Sequence, residues 1–252
     1  MNAPAGPAAG TPPASPPMPR PEGVAASRLF VGRARGTWTL PEQIAAEIGE
    51  RILDLAIAPG SRVPEEGLAR EFGVSRGPIR DALRTLEQAG LIRITSRKGA
   101  VATPMTGQDL REIFQLRTSL TELALLGFAR HAGTANLDHY RLLLRAIERH
   151  TEDDAMAIVW VEAIDRLILF LAHHCGNSRV AQLLTALSLQ SVRYVRVGLQ
   201  EGRNPVARRR EIVRFYQDLL AACESGAPVE PFIERMRAIM GERTETIGSA
   251  LA

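Results

Sequence analysis

A chain of 252 residues with 45% hydrophobic and 5% aromatic content has room for two modest domains with buried cores, or for one larger one. Its formal net charge of +3 excludes a bulk positive field as a source of nucleic-acid affinity, so such binding must come from the local placement of arginine. Two cysteines, no secretory leader and no apolar run of bilayer length exclude a disulfide scaffold and a membrane span, and lead us to expect a cytoplasmic protein with free thiols.

The first segment, 1–36, is dominated by Ala, Pro and Gly and has too few periodic apolar residues to offset the entropy of ordering; it reads as a disordered leader. From Thr37 the pattern changes. Ile44, Ile48, Ile52 and Leu55 recur at i+4 and predict an amphipathic helix that Pro59-Gly60 breaks. A short helix follows from about Pro64, with Leu68, Ala69 and Phe72 on one face and Gly73 as a left-handed cap. A third starts at Ser75, whose hydroxyl is placed to cap it, and admits Pro78 because the N–H groups of a first turn have no internal acceptor. Its core face is Ile79, Ala82, Leu83 and Leu86. Gly90 closes it, and LIRI, SRKG and AVAT then read as a small hairpin. Three helices and a hairpin over 37–103 make a winged helix-turn-helix.

Beyond Pro104 no strand signal occurs. Thr106 and Asp109 form a capping pattern, and about six helices fit between breaks near Gly133, Asp153, Gly176, Gly202 to Pro205 and Gly226 to Pro228. The expected fold is therefore mainly α: a winged helix-turn-helix followed, over 104–252, by an all-α antiparallel bundle with a central cavity, a half that the resemblance described below assigns to effector binding and dimerisation.

The third helix carries the chemistry of the first half. With Ile79 at the centre of its core face, Arg76, Arg80 and Arg84 form one stripe. A guanidinium pairs bidentately with guanine, and the start of a recognition helix is where side chains reach base edges, so Arg76 and Arg80 are the base-reading candidates. Ser75, Gly77 and the helix N-terminus suit a phosphate. Arg97, Lys98 and Gly99 at the hairpin tip suit the DNA backbone or minor groove.

PGSRVPEEGLAREFGVSRGPIRDALRTLEQAGLI strongly resembles the DNA-binding domain of the GntR family of bacterial transcription regulators, with the SR-x-P-[IV]-R core at Ser75 to Arg80. The resemblance implies a homodimer on palindromic operator DNA, usually a repressor. DLREIFQLRTSLTELALLGFARHA, followed by a helix ending in GN, resembles more loosely the FadR-type effector domain called FCD. Many members of that subfamily hold a metal through an aspartate and three histidines. Those positions fall here on Ile164, Ile168, Tyr216 and a residue near Ala238 or Ile239, and no histidine follows His174.

Two histidines beside a cysteine, in LILFLAHHCGN, do not replace that set, because His173 and His174 diverge by about 100° on a helix. The dipole at a helix C-terminus, which favours a cationic imidazole, accounts for them as well. We therefore expect no metal and no cofactor. The resemblance implies a small-molecule effector, apolar or acidic, in a pocket that draws on Arg117, Ile164, Ile168, Arg193, Tyr216 and Ile239. Two other readings stay open. Asp165 and His174 could serve as displaced metal ligands, or the helical half could be a partner-binding module or, with converging carboxylates, an enzyme. No GxSxG, HExxH, CxxC or phosphate loop supports the last, and the expectation is of a protein that is not an enzyme.

Overall fold

The computed structural model describes residues 29–30, 35–96, 99–200 and 205–251. Helix α1, Leu40–Leu53, begins where the Glu42 carboxylate accepts the Thr39 backbone N–H at 2.8 Å and its hydroxyl at 3.0 Å. It ends two residues before the end of the stripe that predicts it: Leu55 lies outside the helix with φ 62°, a left-handed conformation, and Leu53 takes the buried position. Helices α2, Glu65–Phe72, and α3, Arg76–Gln88, are joined through Gly73, whose φ of 66° is the left-handed cap expected of it. Strands β1, Ile92–Thr95, and β2, Gly99–Ala102, pair antiparallel with Ile92 opposite Ala102. Ile44, Ile48, Ile52, Ile79, Leu83 and Leu86 form the fully buried centre of this unit.

Most of the leader lies outside the described residues. One expectation about it is corrected: Phe30 is buried, with its ring 4.8 Å from that of Trp38, so an aromatic pair from either side of the expected boundary at Thr37 packs on the core.

After a short connection the described residues form six α-helices: α4, Gly107–His131; α5, Thr134–Arg149; α6, Ala157–His173; α7, Ser178–Gln200; α8, Val206–Ser225; and α9, Glu230–Gly248. The Thr106 hydroxyl accepts the Asp109 N–H at 3.0 Å and starts α4 as its sequence predicts. Helix α4 packs against α6, α7 and α9. Its Gly127 makes one of these contacts possible, because a Cβ there would lie 2.3 Å from the Cys175 carbonyl oxygen. Trp160, Tyr140, Phe128 and Phe215 fill the bundle interior.

Helix α7 belongs to both halves. Leu189 and Val192 are buried in the core of the winged unit. Around them Gln190 donates to the Ala89 carbonyl at 3.3 Å, Arg193 donates to the Thr103 carbonyl at 2.7 Å, and Arg196 pairs with Asp54.

Candidate functional site

Helix α3 presents Arg76, Arg80 and Arg84 to solvent because Ile79, Ala82, Leu83 and Leu86 hold its opposite face fully buried. Arg76 lies 3.1 Å from Glu66, and Arg80 Nε donates to Glu65 at 2.9 Å, both glutamates coming from α2. The two arginine side chains nevertheless remain 56% and 59% exposed, so neither is locked inside the protein. Exposed pairs of this kind contribute little and exchange readily for a better anion. Ser75 occupies the N-cap with extended backbone, but its hydroxyl makes no capping bond, which corrects the expected role. The hydroxyl is exposed, Gly77 beside it is open, and the first-turn N–H groups face solvent. Gly99 opens β2 with φ 70°; Arg97 and Lys98 lie outside the described residues.

Two neighbouring spaces among the described residues of the bundle share Val161, Val195 and Arg243 in their linings. A cavity of about 400 Å³ is bounded by Trp160 and Val161 of α6, Val195 and Leu199 of α7, Ile212 of α8 and Ile239 of α9. On its rim Arg208 is neutralised by Glu211 and Glu242, each at 2.6 Å. Arg243 also lines it and has neither a hydrogen bond nor an ion pair among the described residues. Burial, and secondarily the neighbouring Arg117, push its guanidinium down to about 10, so it remains a cation at neutral pH.

Deeper in, a void of about 20 Å³ is lined by Ile164, Ile168, Arg117, Asp165, Ser191 and Arg243, among others. Arg117 is spent on structure: Nη2 donates to Asp165 Oδ1 at 2.7 Å and Nη1 to the Ser191 hydroxyl. Ser188 donates to the other Asp165 oxygen, and Ser191 donates to the Ser188 carbonyl at 2.9 Å. Two serines one turn apart on α7 thus complete a buried ion pair.

The expected effector residues divide accordingly. Ile239 lines the large cavity, Ile164 and Ile168 the inner void, and Arg117 is engaged with Asp165. Arg193 is a correction: it lines neither space and turns to the winged unit, since α7 is buried on both sides there. Tyr216 is buried and lines neither space, and burial pushes its hydroxyl well above the ordinary range. Arg243 was not legible in the sequence, where it is one more arginine on the last helix.

The divalent ion implied by the resemblance does not fit these residues. Its positions carry Ile164, Ile168 and the protonated phenol of Tyr216. Asp165 is engaged with Arg117, and His174 stands roughly 13 Å farther along α6, its Nδ1 2.9 Å from the Phe170 carbonyl and its ring against that of Phe170. Partial burial, then His174, lower the His173 ring below its ordinary value, which opposes a cationic reading of His173. Among the described residues no group of three or more His, Cys, Asp or Glu could hold a metal, and no helix is long and apolar enough to cross a membrane.

The fold and the arginine-bearing helix define a winged helix-turn-helix joined to an all-helical bundle. Residues 40–101 match the family described as bacterial regulatory proteins, gntR family, and residues 112–240 match the FCD domain. The chain belongs to the GntR family, with an FCD C-terminal domain. It is 40% identical over 83 residues to an uncharacterised HTH-type transcriptional regulator, YdhC, of Bacillus subtilis, and 35% identical over 96 residues to the gluconate operon transcriptional repressor of Bacillus licheniformis. These alignments cover 33% and 38% of this chain and 37% of each relative's own length. The structure of Escherichia coli McbR, 20% identical, has the same fold, with a TM-score of 0.67 over 84% of this chain and 99% of that one. The names of these relatives are those of transcriptional regulators, not of enzymes.

Proposed function

We propose that the protein is a sequence-specific DNA-binding transcriptional regulator, a repressor that works as a homodimer and responds to a small molecule held in the bundle cavity. The observation that carries the reading is the solvent-facing stripe of Arg76, Arg80 and Arg84 on a helix whose other face is fixed in the core, beside a two-stranded wing. Arg76 and Arg80 read base edges. Arg84 extends the stripe, Ser75 and Gly77 approach phosphate, and the wing at Gly99, with Arg97 and Lys98, follows the backbone.

Two half-sites require two copies of the reading helix, and exposed leucines of the bundle support pairing there. Leu116 and Leu123 of α4, 56% and 52% exposed, and Leu183 of the neighbouring α7, 54% exposed, leave apolar area in water that a second copy would cover. The 400 Å³ cavity is within the size range of small-molecule sites.

The test is an electrophoretic shift of DNA from upstream of the protein's own gene, titrated with salt. Binding should weaken steeply as salt rises, and Arg80→Ala should cost about 1–3 kcal/mol and relax base preference. Binding and footprint unchanged by Arg80→Ala would remove α3 from the groove.

A further inference from the structure

We propose that Glu87, in the last turn of α3, is a positioning residue for DNA binding: its carboxylate holds the wing at a fixed angle to the reading helix through the Ile94 backbone N–H, so that helix and wing meet one DNA site together. The inference rests on the groove-reading function above and adds to it a residue that acts without touching DNA.

On a helical wheel Glu87 falls inside the arc of Arg76, Arg80 and Arg84, about 20° from Arg76. A carboxylate on a face turned to DNA can accept from a cytosine amine, repel phosphate, or be occupied by a donor of the protein itself. Here it is occupied. Glu87 Oε1 accepts the Ile94 N–H of β1 at 2.8 Å.

That bond falls where the wing is held least by the core. Strand β2 is backed on its outer side by 60–63, with Val63 donating to Ala100, Ala102 to Ser61 and Gly60 to Ala102, each at 2.9 Å. Strand β1 is the edge, and the core grips it at its first residue: Ile92 is buried, whereas Arg93 and Ile94 are exposed. Ile94 stands opposite Ala100, whose carbonyl is turned outward to Val63, so the Ile94 N–H points out of the ladder on the opposite side, toward α3. Glu87 thus turns a strand gripped at one end into a strand held at two points. The second point is one residue before Thr95, which pairs with Gly99 at the base of the wing tip.

Two variants of the full chain, Glu87→Ala and Glu87→Gln, test this against the operator DNA described above. Glu87→Ala should weaken binding by about tenfold and lower the salt dependence by about one phosphate contact per wing. In a hydroxyl-radical footprint it should lose the flanking protection given by the wing and keep the central protection given by Arg76 and Arg80. Glu87→Gln should restore affinity, footprint and base preference, because an amide oxygen still accepts the N–H. In the DNA-free protein, hydrogen exchange at the Ile94 amide should quicken by about tenfold in Glu87→Ala and stay as in the parent in Glu87→Gln. Unchanged Ile94 exchange or an intact flanking footprint in Glu87→Ala would overturn the proposal. So would an altered base preference or a lost central footprint in Glu87→Gln, which would make Glu87 a base-reading side chain. A parent chain that binds no operator while Ile94 exchange responds as expected would overturn the groove reading, and this inference with it, leaving a hydrogen bond that braces a hairpin.

Discussion

Arg76 and Arg80 each face a glutamate of the preceding helix, so on the proposed reading DNA must displace these anions before the two side chains reach the groove. The pairs are exposed, and their strength is of the order at which a phosphate or a guanine edge wins. Removing the competitor should therefore tighten binding: Glu65→Gln and Glu66→Gln are each expected to raise DNA affinity by about two- to fivefold in a fluorescence anisotropy titration. Unchanged or weaker binding would mean that the glutamates hold the arginines in the reading geometry and do not compete for them. Arg243 shows the limit of sequence at this scale. Its identity was in plain view, but its place between the two spaces of the bundle is a property of the packed helices.

Helix boundaries were legible where the chain itself punctuates them. Gly73, the Thr106 cap and the breaks near Gly133, Gly176 and Gly226 all fall at helix ends, because glycine or a capping hydroxyl decides the local backbone without help from tertiary structure. Leu55 escaped this reading, since a periodic leucine in the left-handed region gives no local sign of itself. Helix α7 escaped it differently. Between Ser188 and Val195 nearly every residue is buried, one side against the helical bundle and the other against the winged unit, so no periodicity could tell the direction of Arg193 from that of Ser191. The packing of α4 yields a prediction in which two effects oppose. Helix propensity alone makes Gly127→Ala stabilising by about 1 kcal/mol. The approach of Cys175 within 2.3 Å of the added carbon reverses the sign, and a net loss of about 1–3 kcal/mol is expected in thermal or urea unfolding.

For the whole molecule, the division into a winged unit and a helical bundle followed from the change in pattern at Pro104, whereas the mode of their joining did not. Association is the first quantity to measure. If the proposed dimer pairs through α4, Leu116→Glu with Leu123→Glu should give a monomer in sedimentation, and operator affinity should fall because each half-site is then bound alone. A double variant that stays dimeric would move the interface elsewhere. The sharing of α7 governs what can be rebuilt. Since Leu189 and Val192 complete the interior of the DNA-reading half, the halves are not interchangeable cassettes. A chimera grafting a foreign sensor onto this reader must supply two matching aliphatic side chains at the same height, or the reader is left with an unfilled notch and melts earlier than its parent.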